Sequence, residues 1–150
     1  MEQRLNIQEK GANALKPLFG MGAYLKKSTI EASLHELVNF RVSQINQCAY
    51  CLDMHYKDAR AKGETEQRLY GLSAWRESPY YTDRERAAFA WAEAVTKCEV
   101  PDEVFNEAKK QFSDEELVDL TMVVTTINTW NRLNISFPNV PGTYQVGMFG

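Results

Sequence analysis

At 150 residues, with 44% hydrophobic and 11% aromatic side chains, the chain has enough apolar surface for one ordinary hydrophobic core. Its formal net charge is -3 with both signs interspersed, which argues against a nucleic-acid binder and against attraction to an anionic membrane. The opening Met1-Glu2-Gln3-Arg4-Leu5-Asn6 lacks the basic-then-apolar order of an export signal, and no apolar run approaches the roughly 20 residues of a membrane span, so a soluble cytoplasmic protein is expected.

Strand signals are nearly absent and helix signals run throughout. An amphipathic helix is predicted from about Gln8 to Lys27, with Pro17 and Gly20 as places where it can kink or divide. The next begins near Glu31, and Leu34, Leu37, Val38, Val42 and Ile45 recur on it every three or four residues as one apolar stripe. A break at Asn46-Gln47 precedes a third helix, from about Cys48 to Lys62, which Gly63 stops. A short fourth helix is predicted from about Thr65 to Trp75, before a loop containing Pro79.

Thr82 with Glu85 reads as a capping box opening a fifth helix that carries Ala88, Trp91, Ala92 and Val95. Pro101 suits the first turn of a sixth, Asp102 to Gln111. Ser113 with Glu116 is a second capping box and starts a long last helix. That helix is apolar on most sides (Leu117, Leu120, Val124 and Ile127 on one face, Met122, Val123 and Trp130 on another), so it is expected to be buried. The tail after Pro138 reads as irregular. No internal repeat or linker appears. The expectation is one all-α domain over residues 1–150, a bundle of about six to seven helices.

The informative stretch is Gln44 to His55. Cys48 and Cys51 stand three residues apart at a helix start, where orphan backbone N–H groups and the helix dipole favour the reactive thiolate. Three cysteines are too few for a disulfide scaffold, and a close pair in a reducing compartment points to redox or metal chemistry. His55 follows Cys51 by four residues, on the same helical face, and its imidazole can take a thiol proton near neutral pH. If the second and third helices form an antiparallel hairpin turning near Gln47, Glu36 lies about ten residues before the turn and His55 about eight after it. At roughly 1.5 Å rise per residue, the two reach similar heights. A carboxylate there can orient the imidazole, directly or through a water.

Duller readings compete. The cysteine pair with His55 could hold zinc, although no second Cys/His pair supplies a fourth ligand. Covalent haem attachment requires His directly after the second cysteine, and Leu52 is there instead. Glu36 could form only a capping box with Ser33. Cys98 reads as a small buried apolar residue, His35 as solvent-facing, and the aromatic residues Trp75, Tyr80, Tyr81 and Trp91 as core and loop packing.

Glu36, Cys48-Ala49-Tyr50-Cys51 and His55 together resemble the Glu…Cys-x-x-Cys-x-x-x-His signature of the AhpD-like alkylhydroperoxidases, within the carboxymuconolactone decarboxylase superfamily. The flanks resemble it too, at Leu37 to Asn46, Asp58 to Glu64, Ala74 to Pro79 and Thr129 to Asn134, so the likeness spans roughly Leu34 to Phe137. The resemblance implies an all-α fold that associates as homotrimers or homohexamers. It implies a thiol-dependent peroxidase acting on organic hydroperoxides or hydrogen peroxide. In that scheme Cys51 attacks the peroxide, Cys48 resolves the sulfenic acid to a disulfide, and His55, held by Glu36, relays the proton. An external dithiol or thiol protein then resets the pair, and neither cofactor nor metal is required. The dipole argument by itself favours Cys48 as the more acidic thiol, whereas the resemblance assigns the attack to Cys51. The founding peroxidases carry a His just before the second cysteine; this chain has Tyr50. That departure supports one alternative, a disulfide oxidoreductase or redox sensor with little peroxide turnover. A lyase of the carboxymuconolactone decarboxylase type is a further alternative raised by the superfamily name, and the pair of thiols, for which that chemistry has no evident need, argues against it.

Overall fold

A computed structural model describes residues 3–149. Met1 and Glu2, which open the segment read for an export signal, lie outside them. Among the described residues there are eight α-helices, one 3₁₀ turn and no strand, so the chain is all-α. The helices are α1 (Ile7–Lys10), α2 (Ala12–Leu25), α3 (Ala32–Ile45), α4 (Ala49–Ala61), α5 (Glu66–Gly71), α6 (Asp83–Lys97), α7 (Asp102–Gln111) and α8 (Asp114–Ser136). The 3₁₀ turn, Leu72–Ala74, continues α5 as the predicted fourth helix required. No helix among the described residues is long and apolar enough to cross a membrane.

The predicted first helix is divided, but at Gly11 rather than at Pro17 or Gly20. The Gly11 N–H donates to the Ile7 carbonyl at 2.8 Å, and a Cβ on Gly11 would lie 2.9 Å from that same oxygen. Only glycine tolerates so close an approach. Pro17 sits inside α2. Both capping boxes form: Thr82 and Ser113 each accept from a backbone N–H three residues on, and Glu85 and Glu116 reach back to the cap N–H. Each cap contributes about 1 kcal/mol. Pro101 stands one residue earlier than expected, as the extended N-cap of α7.

Helix α8 is the central element and packs against α2, α3, α4, α6 and α7. Leu120, Val123 and Val124 on it, with Leu37, Val38 and Val42 of α3 and Ala88, Phe89 and Ala92 of α6, belong to one buried cluster. Full burial of a side chain such as Leu37 stabilises by roughly 2–3 kcal/mol. Buried Glu93 of α6 ties three segments together: it accepts from Arg41 of α3 at 2.8 Å, from the Trp75 indole at 2.9 Å and from Arg76 at 2.7 Å. Burial raises its pKa, and these three donors more than reverse that, leaving it lowered.

Two expectations fail on burial. Cys98 is exposed, not a buried apolar residue. It is the C-cap of α6 in the left-handed region (φ 59°), where the chain leaves the helix and turns the side chain off the core-facing stripe. His35 is half-buried rather than solvent-facing, and it lines the same cavity as Leu25 and Lys26.

Candidate active site

Helices α3 and α4 pack side by side as the expected hairpin. Its turn is fixed by long-range polar contacts. Gln47 adopts φ 56°, a left-handed conformation rare for a residue with a Cβ. The next N–H, of Cys48, donates to the Ser43 carbonyl at 3.1 Å. The Asn46 side chain donates to Asn128 and Asn131 of α8, at 2.9 Å each, and fully buried Asn131 donates onward to the Ser43 hydroxyl at 3.1 Å. Cys48 is thereby set as the N-cap of α4 with Cys51 in its first turn.

The two sulfurs are joined as a disulfide, with Cα atoms 5.3 Å apart, and both residues are 1% exposed. One turn after Cys51, His55 points its Nδ1 at Glu36 Oε2, 2.9 Å away. An ionised carboxylate can only accept, so Nδ1 carries a proton, and in the neutral imidazole Nε2 is then the acceptor. Nε2 is buried and has no hydrogen-bond partner, the one such side-chain nitrogen or oxygen among the described residues.

The other Glu36 oxygen accepts from Lys62 Nζ at 2.6 Å. Burial raises the Glu36 pKa, but the hydrogen bonds and charges of His55 and Lys62 outweigh it and hold the carboxyl at about 2. The carboxylate is thus permanently ionised near neutrality and clamped between an imidazole and an ammonium. The competing capping-box reading of Glu36 with Ser33 fails, since the N-cap of α3 is Glu31 and no side chain caps it. The carboxylate, imidazole and Asp58 carboxylate approach within 4.8 Å of one another, the geometry of a three-ligand cation site. Lys62 pairs with the Glu36 carboxylate and the Tyr144 hydroxyl donates to Asp58, so both carboxylates already have partners within the protein. The sulfurs of the zinc reading are bonded to each other.

A cavity of about 550 Å³ opens beside the Glu36–His55 pair. Its walls are largely apolar, with Phe19 from α2, Tyr50 and Met54 from α4, Ile127 and Trp130 from α8, and Tyr144 from the tail. His35 lines it as well, and burial lowers its pKa to about 4 against the opposing pull of Glu36. Burial, followed by the Asp53 charge, raises the pKa of Tyr50. Sequence reasoning singled out Cys48, Cys51, His55 and Glu36, and the structure brings Glu36 onto His55 and the thiols onto one helix with it. It missed Lys62, Asp58 and Tyr144. Lys62 falls seven residues after His55 and Asp58 three after it, so helical spacing carried a signal for both; nothing local marked Tyr144.

The sequence profile of the carboxymuconolactone decarboxylase family matches residues 13–94. The YdfG protein of Bacillus subtilis strain 168 is 41% identical over 142 residues, covering 93% of this chain and 97% of its own. The chain belongs to the carboxymuconolactone decarboxylase family. Within that family it is AhpD-like. The crystal structure of ATU0492 from Agrobacterium tumefaciens, a protein of unknown function provisionally named an AhpD antioxidant defence protein, superposes with a TM-score of 0.91 at 39% identity, over 95% of this chain and all of that one. The debrominase Bmp8 shares the family fold at 19% identity, with a TM-score of 0.81 over 90% of this chain and 74% of its own. At that distance the likeness speaks to fold alone.

Proposed function

We propose that the protein is a thiol-dependent peroxidase that reduces organic hydroperoxides or hydrogen peroxide through a Cys48–Cys51 dithiol/disulfide. The observation that carries the reading is the buried, unpartnered His55 Nε2, one helical turn from Cys51, on an imidazole whose tautomer Glu36 fixes. In the reduced protein His55 takes the Cys51 proton. The Cys51 thiolate attacks the terminal peroxide oxygen, the O–O bond breaks, and the alcohol or water leaves with a proton returned from His55. Cys51 is then a sulfenic acid. Cys48 attacks its sulfur, the S–S bond forms and water departs, so two electrons have passed from the thiols to the peroxide. An external dithiol or thiol protein reduces the disulfide by exchange. No cofactor enters the cycle. Assembly as homotrimers or homohexamers is part of the proposal, on the family resemblance.

The test starts from reduced protein. Thiols are alkylated before and after one equivalent of peroxide, and the protein is weighed. Two of three thiols are expected to vanish together, and Cys51→Ser is expected to abolish the loss. An unchanged count ends the proposal. A second reading, a disulfide oxidoreductase or redox sensor with little peroxide turnover, is favoured by Tyr50, whose apolar bulk stands where a polar relay residue would serve. It predicts a measurable Cys48–Cys51 reduction potential with negligible peroxide consumption.

A further inference from the structure

One wall of the cavity beside His55 comes from a part of the chain that the proposed chemistry does not use, the irregular tail from 138 onward. Its Tyr144 is 4% exposed, although it belongs to no helix. The Tyr144 hydroxyl donates toward Asp58, lying 2.8 and 3.0 Å from the two carboxylate oxygens. Burial and then this bond to Asp58 raise the pKa of the phenol, so it stays a donor. Lys57 Nζ donates to the Tyr144 carbonyl at 3.0 Å and to that of Gly142 at 3.4 Å. The Gly142 N–H donates to Asp53 at 3.0 Å, and Asp53 pairs with Lys57 at 2.8 Å. Asp53, Lys57 and Asp58 are interleaved along α4 with Cys51 and His55, so the tail is clasped to the redox helix itself. Farther back, Asn139 donates to Asn134 of α8 at 2.9 Å.

This clasp is polar, and it leaves the tail's apolar side chains for another task. None of the tail residues belongs to the central hydrophobic cluster. Tyr144, Val146 and Phe149 line the cavity instead, and Phe149 stacks on Tyr144 with ring centroids 5.8 Å apart. Hydrogen peroxide needs no aromatic wall and no space of 550 Å³. A molecule with an apolar body does, and His55, the residue with the unpartnered nitrogen, lines the same space.

We infer that the tail, residues 138–149, is a selectivity strap: fastened to Asp58 by Tyr144, it forms the wall that holds the apolar body of an organic hydroperoxide while the peroxide end reaches His55. The inference rests on the peroxidase reading for the identity of the reacting group, not for the binding itself. Tyr144 is a positioning residue, which acts by fixing the wall rather than by touching the reacting atoms.

The test uses the full chain and Tyr144→Phe, which keeps the ring and removes the donor, with Asp58→Asn as a second variant. Binding of 2-phenyl-2-propanol, the unreactive alcohol formed from cumene hydroperoxide, is measured by chemical-shift titration. Loss of the hydrogen bond to an ionised acceptor is expected to weaken it roughly tenfold. In peroxide assays KM for cumene hydroperoxide is expected to rise about as much, with a smaller change in kcat, and the penalty should exceed that for hydrogen peroxide at least fivefold. Melting curves verify that each variant is folded. If neither variant weakens alcohol binding, or the wild-type chain does not bind the alcohol, the strap inference is overturned. If the alcohol binds in a Tyr144-dependent way but no peroxide is consumed, the strap stands and the peroxidase reading falls.

Discussion

Replacing His35 by Asn removes an imidazole that the fold resists protonating. In the folded chain its pKa is lowered from 6.5 to about 4, because burial penalises the cation more than neighbouring Glu36 favours it. The unfolded chain, with the higher pKa, binds the proton first. Stability is therefore complete above pH 6.5 and is lost as the pH falls toward 4. At pH 5 the deficit is (6.5 − 5) pH units at roughly 1.36 kcal/mol each, on the order of 2 kcal/mol. Urea denaturation of the wild type and His35→Asn at pH 7.5 and pH 5 reads it directly. The wild type should lose about 2 kcal/mol more than the variant between the two conditions. Equal losses would refute the claim that this imidazole is shielded, whatever the absolute stabilities.

Glu36→Gln should slow peroxide-driven thiol loss roughly a hundredfold in single turnover, because a neutral amide neither fixes the His55 tautomer nor stabilises the imidazolium as it forms. Since the Glu36 carboxyl sits at about 2, the defect should be similar from pH 5 to pH 8, and a defect that disappears at higher pH would contradict it. Native, oxidised protein treated with an alkylating agent should gain one label, on exposed Cys98, and three after reduction and denaturation. Labelling of Cys48 or Cys51 without reductant would show that the pair is not joined.

The helical periodicity, the two capping boxes and the Cys-x-x-Cys-x-x-x-His spacing are local patterns: the helices and caps form, apart from the first helix, which divides at Gly11, and the spacing puts both cysteines and His55 along one helix. The hairpin geometry went one step further: similar distances along the two helices from the turn place Glu36 near the height of His55, and the contact is direct. What sequence could not supply are effects of one helix covering another. His35 looked exposed because it lies about 100° around its helix from Glu36, but it lines the cavity and is half-buried there. Cys98 looked like core because cysteine favours burial, but it falls on the one residue that must turn left-handed to end α6. Tyr144 lies 86 residues from Asp58, in a tail without periodicity, and no spacing rule connects them.

The Asn46 side chain that steadies the turn before Cys48 finds its acceptors 82 and 85 residues downstream, on α8. Residues 13–94, the stretch that carries the family profile, therefore hold both thiols but not the groups that pin their loop. A nascent chain can form the local bond from the Cys48 N–H to the Ser43 carbonyl, but the Asn46 contacts that add to it form only once the final long helix docks. The same dependence makes α8 a remote handle: a tilt of this helix would carry Asn128 and Asn131 with it and so reach the turn that presents the cysteine pair.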